Sequence, residues 1–187
     1  MRDITLFELQ RLQPAVAEAD DTLQMDQETF CALYERTARP LWVYLWRKTG
    51  DSQLADDLLQ ETYYRFLRAR VAYDSETHKK NYLFRIATNL AHDSRRTRHE
   101  LQPLSDEAEN VPSHADRDGA ERHQKRSDLD RAMNQLKPRH REALWLAYAE
   151  GSSHEEIAAI LGLKTKSVKL ILFRARRKLA GLLRGEI

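Results

Sequence analysis

Residues 152–179 read SSHEEIAAILGLKTKSVKLILFRARRKL, and this stretch decides the fold of the C-terminal part of the chain. Ile157, Ala158 and Leu161 recur at helical spacing on one apolar face, while Glu155 and Glu156 put carboxylates in the first turn, where the positive end of a helix favours them. Gly162 supplies the left-handed residue that stops this helix. A second helix is predicted from near Thr165, with Val168, Ile171, Leu172, Ala175 and Leu179 as its apolar stripe and Lys166, Lys169, Arg174 and Arg177 projecting away from it. No acidic residue occurs between Glu156 and Glu186. A merely solvated helix usually mixes both charge signs, whereas a face of one sign suits DNA phosphates, so the pattern predicts a helix-turn-helix.

Composition bounds what surrounds it. The 187 residues allow one or two small domains, and 41% hydrophobic with 32% charged residues describes a chain of exposed, charged helices. A net charge of +2 would not by itself point to nucleic acid; the clustering of basic residues at the C-terminus and between Arg85 and Arg98 does. Cys31 is the sole cysteine, which excludes an intrachain disulfide and a cysteine-rich zinc site and fits a reducing cytoplasm. The seven histidines show neither HxxxH nor HExxH spacing, and no metal or other cofactor is expected. Asp3, Glu8 and Glu18 interrupt the N-terminus, and no apolar run reaches membrane-spanning length, so the expected location is the cytosol without membrane insertion.

The pattern divides the chain into an arm over 1–25, a helical domain over 26–98, a linker over 99–124 and a second helical domain over 125–187. In the first domain helices are expected at about Glu28 to Thr49, Ser52 to Ala69 and Lys79 to Arg98, with Gly50, Asp51 and Ser52 forming a capped break. The linker is polar and carries Pro103, Pro112 and Gly119, which reads as flexible. In the second domain Leu129, Met133 and Leu136 lead into Pro138, and Ala143, Leu144, Leu146 and Ala147 mark a helix before the helix-turn-helix. The fold class is therefore all-α, as two small helical domains joined by a flexible linker.

Two faces of the first domain carry functional residue types. On its second helix Ala55, Leu58, Leu59, Thr62 and Phe66 form the stripe to be buried, opposite Asp57, Gln60, Glu61 and Tyr64. That acidic face is either an ordinary solvated surface or a docking surface; without a third ligand or a nucleophile it makes no catalytic or metal site. On the third helix Leu83, Ile86, Ala87 and Leu90 face the core, and Arg85, Asn89, His92 and Arg96 share the outer face. Asparagine reads base edges and arginines hold phosphates, while Tyr73, Tyr82 and Phe84 either stack on an unpaired base or pack in the core.

Three ordered blocks, DSQLADDLLQETYYRFLRA from Asp51, NYLFRIATNLAHDSRR from Asn81 and LKPRHREALWLAYAEGSSHEEIAAILGLKTKSVKLILFRARRKL from Leu136, resemble the two-domain extracytoplasmic-function (ECF) class of bacterial RNA polymerase sigma factors. The resemblance covers nearly everything except the first twenty-odd residues and the linker. It implies that Asp56, Asp57, Gln60 and Glu61 dock on the clamp helices of the polymerase largest subunit. Residues Val71 to Lys80 then form the loop that takes up a flipped base of the minus-ten element, with Tyr73, Lys79, Lys80, Arg85, Asn89, His92, Asp93 and Arg96 on the DNA side. The helix from Lys166 to Lys178 enters the major groove of the minus-thirty-five element, with Lys166, Ser167, Lys169, Leu170, Phe173, Arg174 and Arg177 facing DNA. The implied partners are core RNA polymerase, promoter DNA and, as for many relatives, an anti-sigma factor.

The sequence departs from the family pattern at Leu170 and Ile171, where a Ser-Arg pair is common, at Lys166 and Ser167, where Gly-Thr is common, and at Tyr82. Ile171 lies on the predicted apolar stripe, whereas Leu170 is expected to face outward, where it can touch a thymine methyl but donate no hydrogen bond to a base. Competing readings are a stand-alone helix-turn-helix regulator, which leaves the first domain unexplained, and a sigma-like decoy for an anti-sigma factor, which leaves the basic helix unexplained. An enzyme would need a grouped acid, nucleophile or metal site, and the motifs assemble none.

Overall fold

The computed structural model describes residues 25–69, 71–101 and 128–185, and every regular element among them is a helix. In chain order these are α1 (Gln27–Thr49), α2 (Ser52–Arg68), α3 (Glu76–Leu101), α4 (128–134), α5 (Pro138–Tyr148), α6 (His154–Leu161) and α7 (Thr165–Arg184). The expected arm, apart from Met25, and the expected linker beyond residue 101 lie outside the described residues.

Local chemistry sets the boundaries. Asp26 caps α1 by accepting from the Thr29 amide, and the helix ends at Gly50, whose φ of 73° is left-handed. Asp51 then caps α2 by accepting from the amides of Gln53 and Leu54. Ser75 Oγ accepts the His78 amide at 3.1 Å and starts α3 at Glu76, three residues before the expected start at Lys79. Lys79 and Lys80 therefore project from the first turns of a helix rather than from the loop assigned to Val71 to Lys80. Pro138 opens α5, where a missing N–H costs nothing. In α6 the Ser153 hydroxyl accepts the Glu156 amide while the Glu156 carboxylate accepts the Ser153 amide, a capping box that closes before the apolar run Ile157, Ala158 and Ile160.

Helices α1, α2 and α3 pack on one another around Leu33, Leu41, Leu45, Leu58, Phe66, Leu83 and Phe84, all buried. The hydroxyls inside this core are paired. Thr37 donates to the Leu33 carbonyl at 2.6 Å, so Tyr63, also 2.6 Å from the Thr37 oxygen, is left as the donor. Tyr44 and Thr88 join α1 to α3 at 2.8 Å. Burial raises the phenols of Tyr44 and Tyr63 above their ordinary value, which keeps both neutral. The second bundle packs α5, α6 and α7 around Leu144, Leu146, Ile157, Ile160, Val168, Leu172 and Ala175. Helix α3 also packs against α6, so the buried residues of the two domains form one continuous cluster.

Candidate polymerase and nucleic-acid interface

The acidic surface stands on α2. Burial of Ala55, Leu58, Leu59, Thr62 and Phe66 turns Asp56, Asp57, Gln60 and Tyr64 outward as exposed residues, with Glu61 half-buried at the edge. Two of these carboxylates are held in place. The Trp42 indole N–H of α1 donates to Asp56 Oδ1 at 2.6 Å, and Arg65 Nε donates to Glu61 Oε1 at 2.6 Å. Trp42 stacks on Trp46 with an interplanar angle of 5°, which fixes the donor's direction. Arg68 bonds the Tyr64 hydroxyl and lies over its ring, steadying the one large aromatic on this face. The hydrogen bond from Trp42 was not legible in the sequence, since nothing in local spacing relates it to Asp56.

On α3 Arg85, Asn89, His92, Asp93 and Arg96 are all exposed, and Arg85, Asn89, His92 and Arg96 fall on one helical stripe. Tyr73, in the segment before α3, lies half-buried with its ring 4.9 Å from Phe66 in a stacked arrangement and 5.7 Å from Tyr82. Its hydroxyl is buried without a hydrogen-bond partner among the described residues, and burial, helped by Tyr82, pushes it up to about 12. Phe84 is fully in the core. Lys79 pairs with Glu76 at 2.6 Å.

The helix-turn-helix forms as expected, with Gly162 at φ 63° between α6 and α7. On α7 Lys166, Lys169, Leu170, Phe173, Arg174 and Arg177 are exposed and Ser167 is half-buried. Leu170 and Phe173 are 47% and 57% exposed, so the cationic face carries an apolar ridge along its middle.

The two domains meet through polar contacts as well. Glu142 Oε1 of α5 receives Lys48 Nζ at 2.8 Å and His92 Nε2 at 2.9 Å. Arg47 pairs with Asp130 at 2.8 Å and lies 5.1 Å over the Trp145 ring. Lys80 reaches both the carboxylate and the backbone carbonyl of Glu150, each at 3.2 Å. Burial pushes the Glu142 carboxyl up, but the hydrogen bond from His92 and the charge of Lys48 outweigh it and hold the group below its ordinary value. Lys48 is drawn below its own by burial, against the pull of Glu142.

Residues 33–100 match the family model for sigma-70 region 2, and residues 126–179 match that for sigma-70 region 4. The chain is 37% identical over 162 residues to the RNA polymerase sigma factor CarQ of Myxococcus xanthus, covering 86% of this chain and 92% of CarQ. It is 31% identical to the ECF sigma factor SigM of Bacillus subtilis over 82% of this chain and 94% of SigM. Among solved structures, the sigma factor RpoE of Bartonella quintana, in complex with the anti-sigma factor NepR, superposes with a TM-score of 0.67 at 27% identity, over 83% of this chain and 96% of that one. The chain belongs to the ECF class of RNA polymerase sigma factors, with regions 2 and 4 as its two helical domains. It is thus a non-catalytic subunit that binds core polymerase and DNA and directs the polymerase to promoters for transcription initiation. The stand-alone regulator and the decoy give way to this assignment.

Proposed function

We propose that three surfaces divide the work of initiation. The α2 face of Asp56, Asp57, Gln60 and Glu61 docks on the polymerase clamp helices, with Trp42 orienting Asp56. Tyr73, Lys79 and Lys80 together with Arg85, Asn89, His92, Asp93 and Arg96 hold the minus-ten element, and Lys166, Ser167, Lys169, Leu170, Phe173, Arg174 and Arg177 of α7 lie in the major groove of the minus-thirty-five element. Domain limits of 1–25, 26–98, 99–124 and 125–187 go with this division.

Opening the promoter requires no bond chemistry from this subunit. Extruding a base costs a few kcal/mol, and a site that binds only the extruded base draws the duplex toward the open form. The unpartnered Tyr73 hydroxyl supports a role for the segment before α3 in this step, because a buried unsatisfied donor costs about 1–3 kcal/mol and a base edge would satisfy it. At the upstream element the ridge of Leu170 and Phe173 favours contact with thymine methyls, and the flanking cations contact phosphates. The observation that carries this reading is the single-sign cationic face of α7, where Lys166, Lys169, Arg174 and Arg177 are exposed with no acidic residue among them, set against the exposed carboxylates of Asp56 and Asp57 in the first half of α2.

A cytoplasmic location follows from the work proposed and agrees with the finding that, among the described residues, no helix is long and apolar enough to cross a membrane. An anti-sigma factor is a proposed further partner, as one is for the RpoE relative. The test is run-off transcription with core polymerase on genomic promoter fragments. Lys169→Glu with Arg174→Glu should abolish initiation while polymerase binding persists, and unchanged initiation would contradict the assignment of α7.

A further inference from the structure

Four polar contacts join the domains with one polarity. Arg47, Lys48, Lys80 and His92 stand on the first domain, and Asp130, Glu142 and Glu150 stand on the second. Two of the first-domain groups, Lys80 and His92, also belong to the surface proposed above for the minus-ten DNA. A side chain held at 3.2 Å or 2.9 Å by a carboxylate is not free to hold a phosphate, and a phosphate approaching it meets the negative charge of Glu150 or Glu142.

We propose that this contact is an electrostatic latch in which the carboxylates of Glu142 and Glu150 occupy, in the free chain, the places at His92 and Lys80 that DNA phosphates take in the promoter complex. The inference rests on the DNA reading of α3. The latched arrangement blocks promoter engagement in a second way. Helices α3 and α7 both pack on α6, so their axes lie within about 20 Å of each other, at two interaxial spacings of ~8–10 Å. Elements centred at minus ten and minus thirty-five lie, by those positions, about 25 base pairs apart centre to centre, roughly 85 Å of duplex at 3.4 Å per step. The domains therefore part before both elements are held. The latch is built to open, because desolvation of buried ions offsets much of their attraction and polar contacts between domains of one chain behave as transient interfaces.

The test uses the full chain without polymerase. Small-angle scattering reports closure, and binding of a random-sequence duplex oligonucleotide with a single-stranded tail reports access to phosphates. The wild type should scatter as a compact particle at low salt and expand at high salt, whereas Glu142→Gln with Glu150→Gln should be expanded throughout with its helical signal unchanged. If about nine-tenths of the wild type is latched, the double variant should bind the oligonucleotide about tenfold more tightly at low salt, and the gap should close at high salt as the wild type opens. Glu155→Gln, which removes the charge of an exposed carboxylate, should reproduce neither effect. Exchanging the pair, as Lys48→Glu with Glu142→Lys, should restore compactness that either single change loses.

A wild type as expanded as the double variant at low salt would overturn the latch. So would opening with no gain in affinity beyond that of Glu155→Gln, since Lys80 and His92 would then not be shared with DNA. If expanded variants that also carry Lys169→Glu with Arg174→Glu, to silence α7, bind no oligonucleotide, the DNA reading of α3 fails, and the proposal built on it fails with it, while scattering still reports closure separately.

Discussion

Lys48 and Glu142 are separated by 94 positions in the chain, yet Nζ and Oε1 meet at 2.8 Å with side chains only 11% and 6% exposed. The same oxygen also receives His92, so one carboxylate of the second domain ties down two helices of the first. A buried carboxylate held by Lys48 and His92 of a separate domain makes the relative placement of the two DNA-binding bundles sensitive to charge.

Acid should loosen that contact. In the closed form Glu142 is held below 4.5, and opening returns it to that value, so its contribution is fully present above about pH 4.5 and is lost as pH falls through the lowered value. Scattering across an acid titration should show the chain expanding before the far-ultraviolet helical signal is lost. Expansion and helix loss at the same pH would remove Glu142 from this role.

Gly162→Ala should destabilise the second domain by about 1–2 kcal/mol, the cost of placing an L side chain in the left-handed region. An added Cβ would meet nothing within 4 Å, so the cost is one of backbone conformation alone. Gly162→Asn should cost less, because asparagine tolerates this conformation. Urea unfolding of the three proteins checks the order.

Tyr63→Phe removes the hydroxyl that donates to Thr37 and should cost about 1 kcal/mol, or ~2–4 °C in Tm for a chain of this size. Polymerase binding should be unchanged. Calorimetry and a pull-down with core polymerase read the two quantities separately.

Trp42→Phe keeps an aromatic ring beside Trp46 but deletes the donor to Asp56. Affinity for core polymerase should fall about fivefold, equivalent to ~1 kcal/mol, with little change in stability. Equal affinity would show that Asp56 needs no orientation.

Asn89→Ala separates melting from recognition. If Asn89 acts in melting, transcription from duplex promoters should fall more than transcription from a template with a pre-opened bubble. Equal losses on both templates would assign it to base recognition or folding.

The helices and their faces were legible because each has an apolar stripe at a period near 3.6, as in Leu58, Leu59, Thr62 and Phe66 or Val168, Leu172 and Ala175. The start of α3 was not, because Glu76, Thr77 and His78 are polar and add nothing to that period; the one available signal was Ser75, a capping residue ahead of His78. The acidic and basic faces were read as residue types but not as held geometry. The bonds from Trp42 to Asp56 and from Lys48 to Glu142 depend on how separate helices pack, and no local spacing encodes that. A partial hint lay in Glu142 itself, a charged residue beside the buried run Ala143, Leu144 and Leu146, which a solvated helix would have turned outward.

The most direct measurement mixes the purified chain with sigma-free core RNA polymerase and follows the complex by size-exclusion chromatography. The wild type should co-elute, and co-elution should be lost when Asp57→Arg and Glu61→Arg reverse the α2 charges while circular dichroism stays the same. Co-elution that survives both reversals would contradict the proposed docking face, and a wild type that never co-elutes would contradict polymerase binding itself.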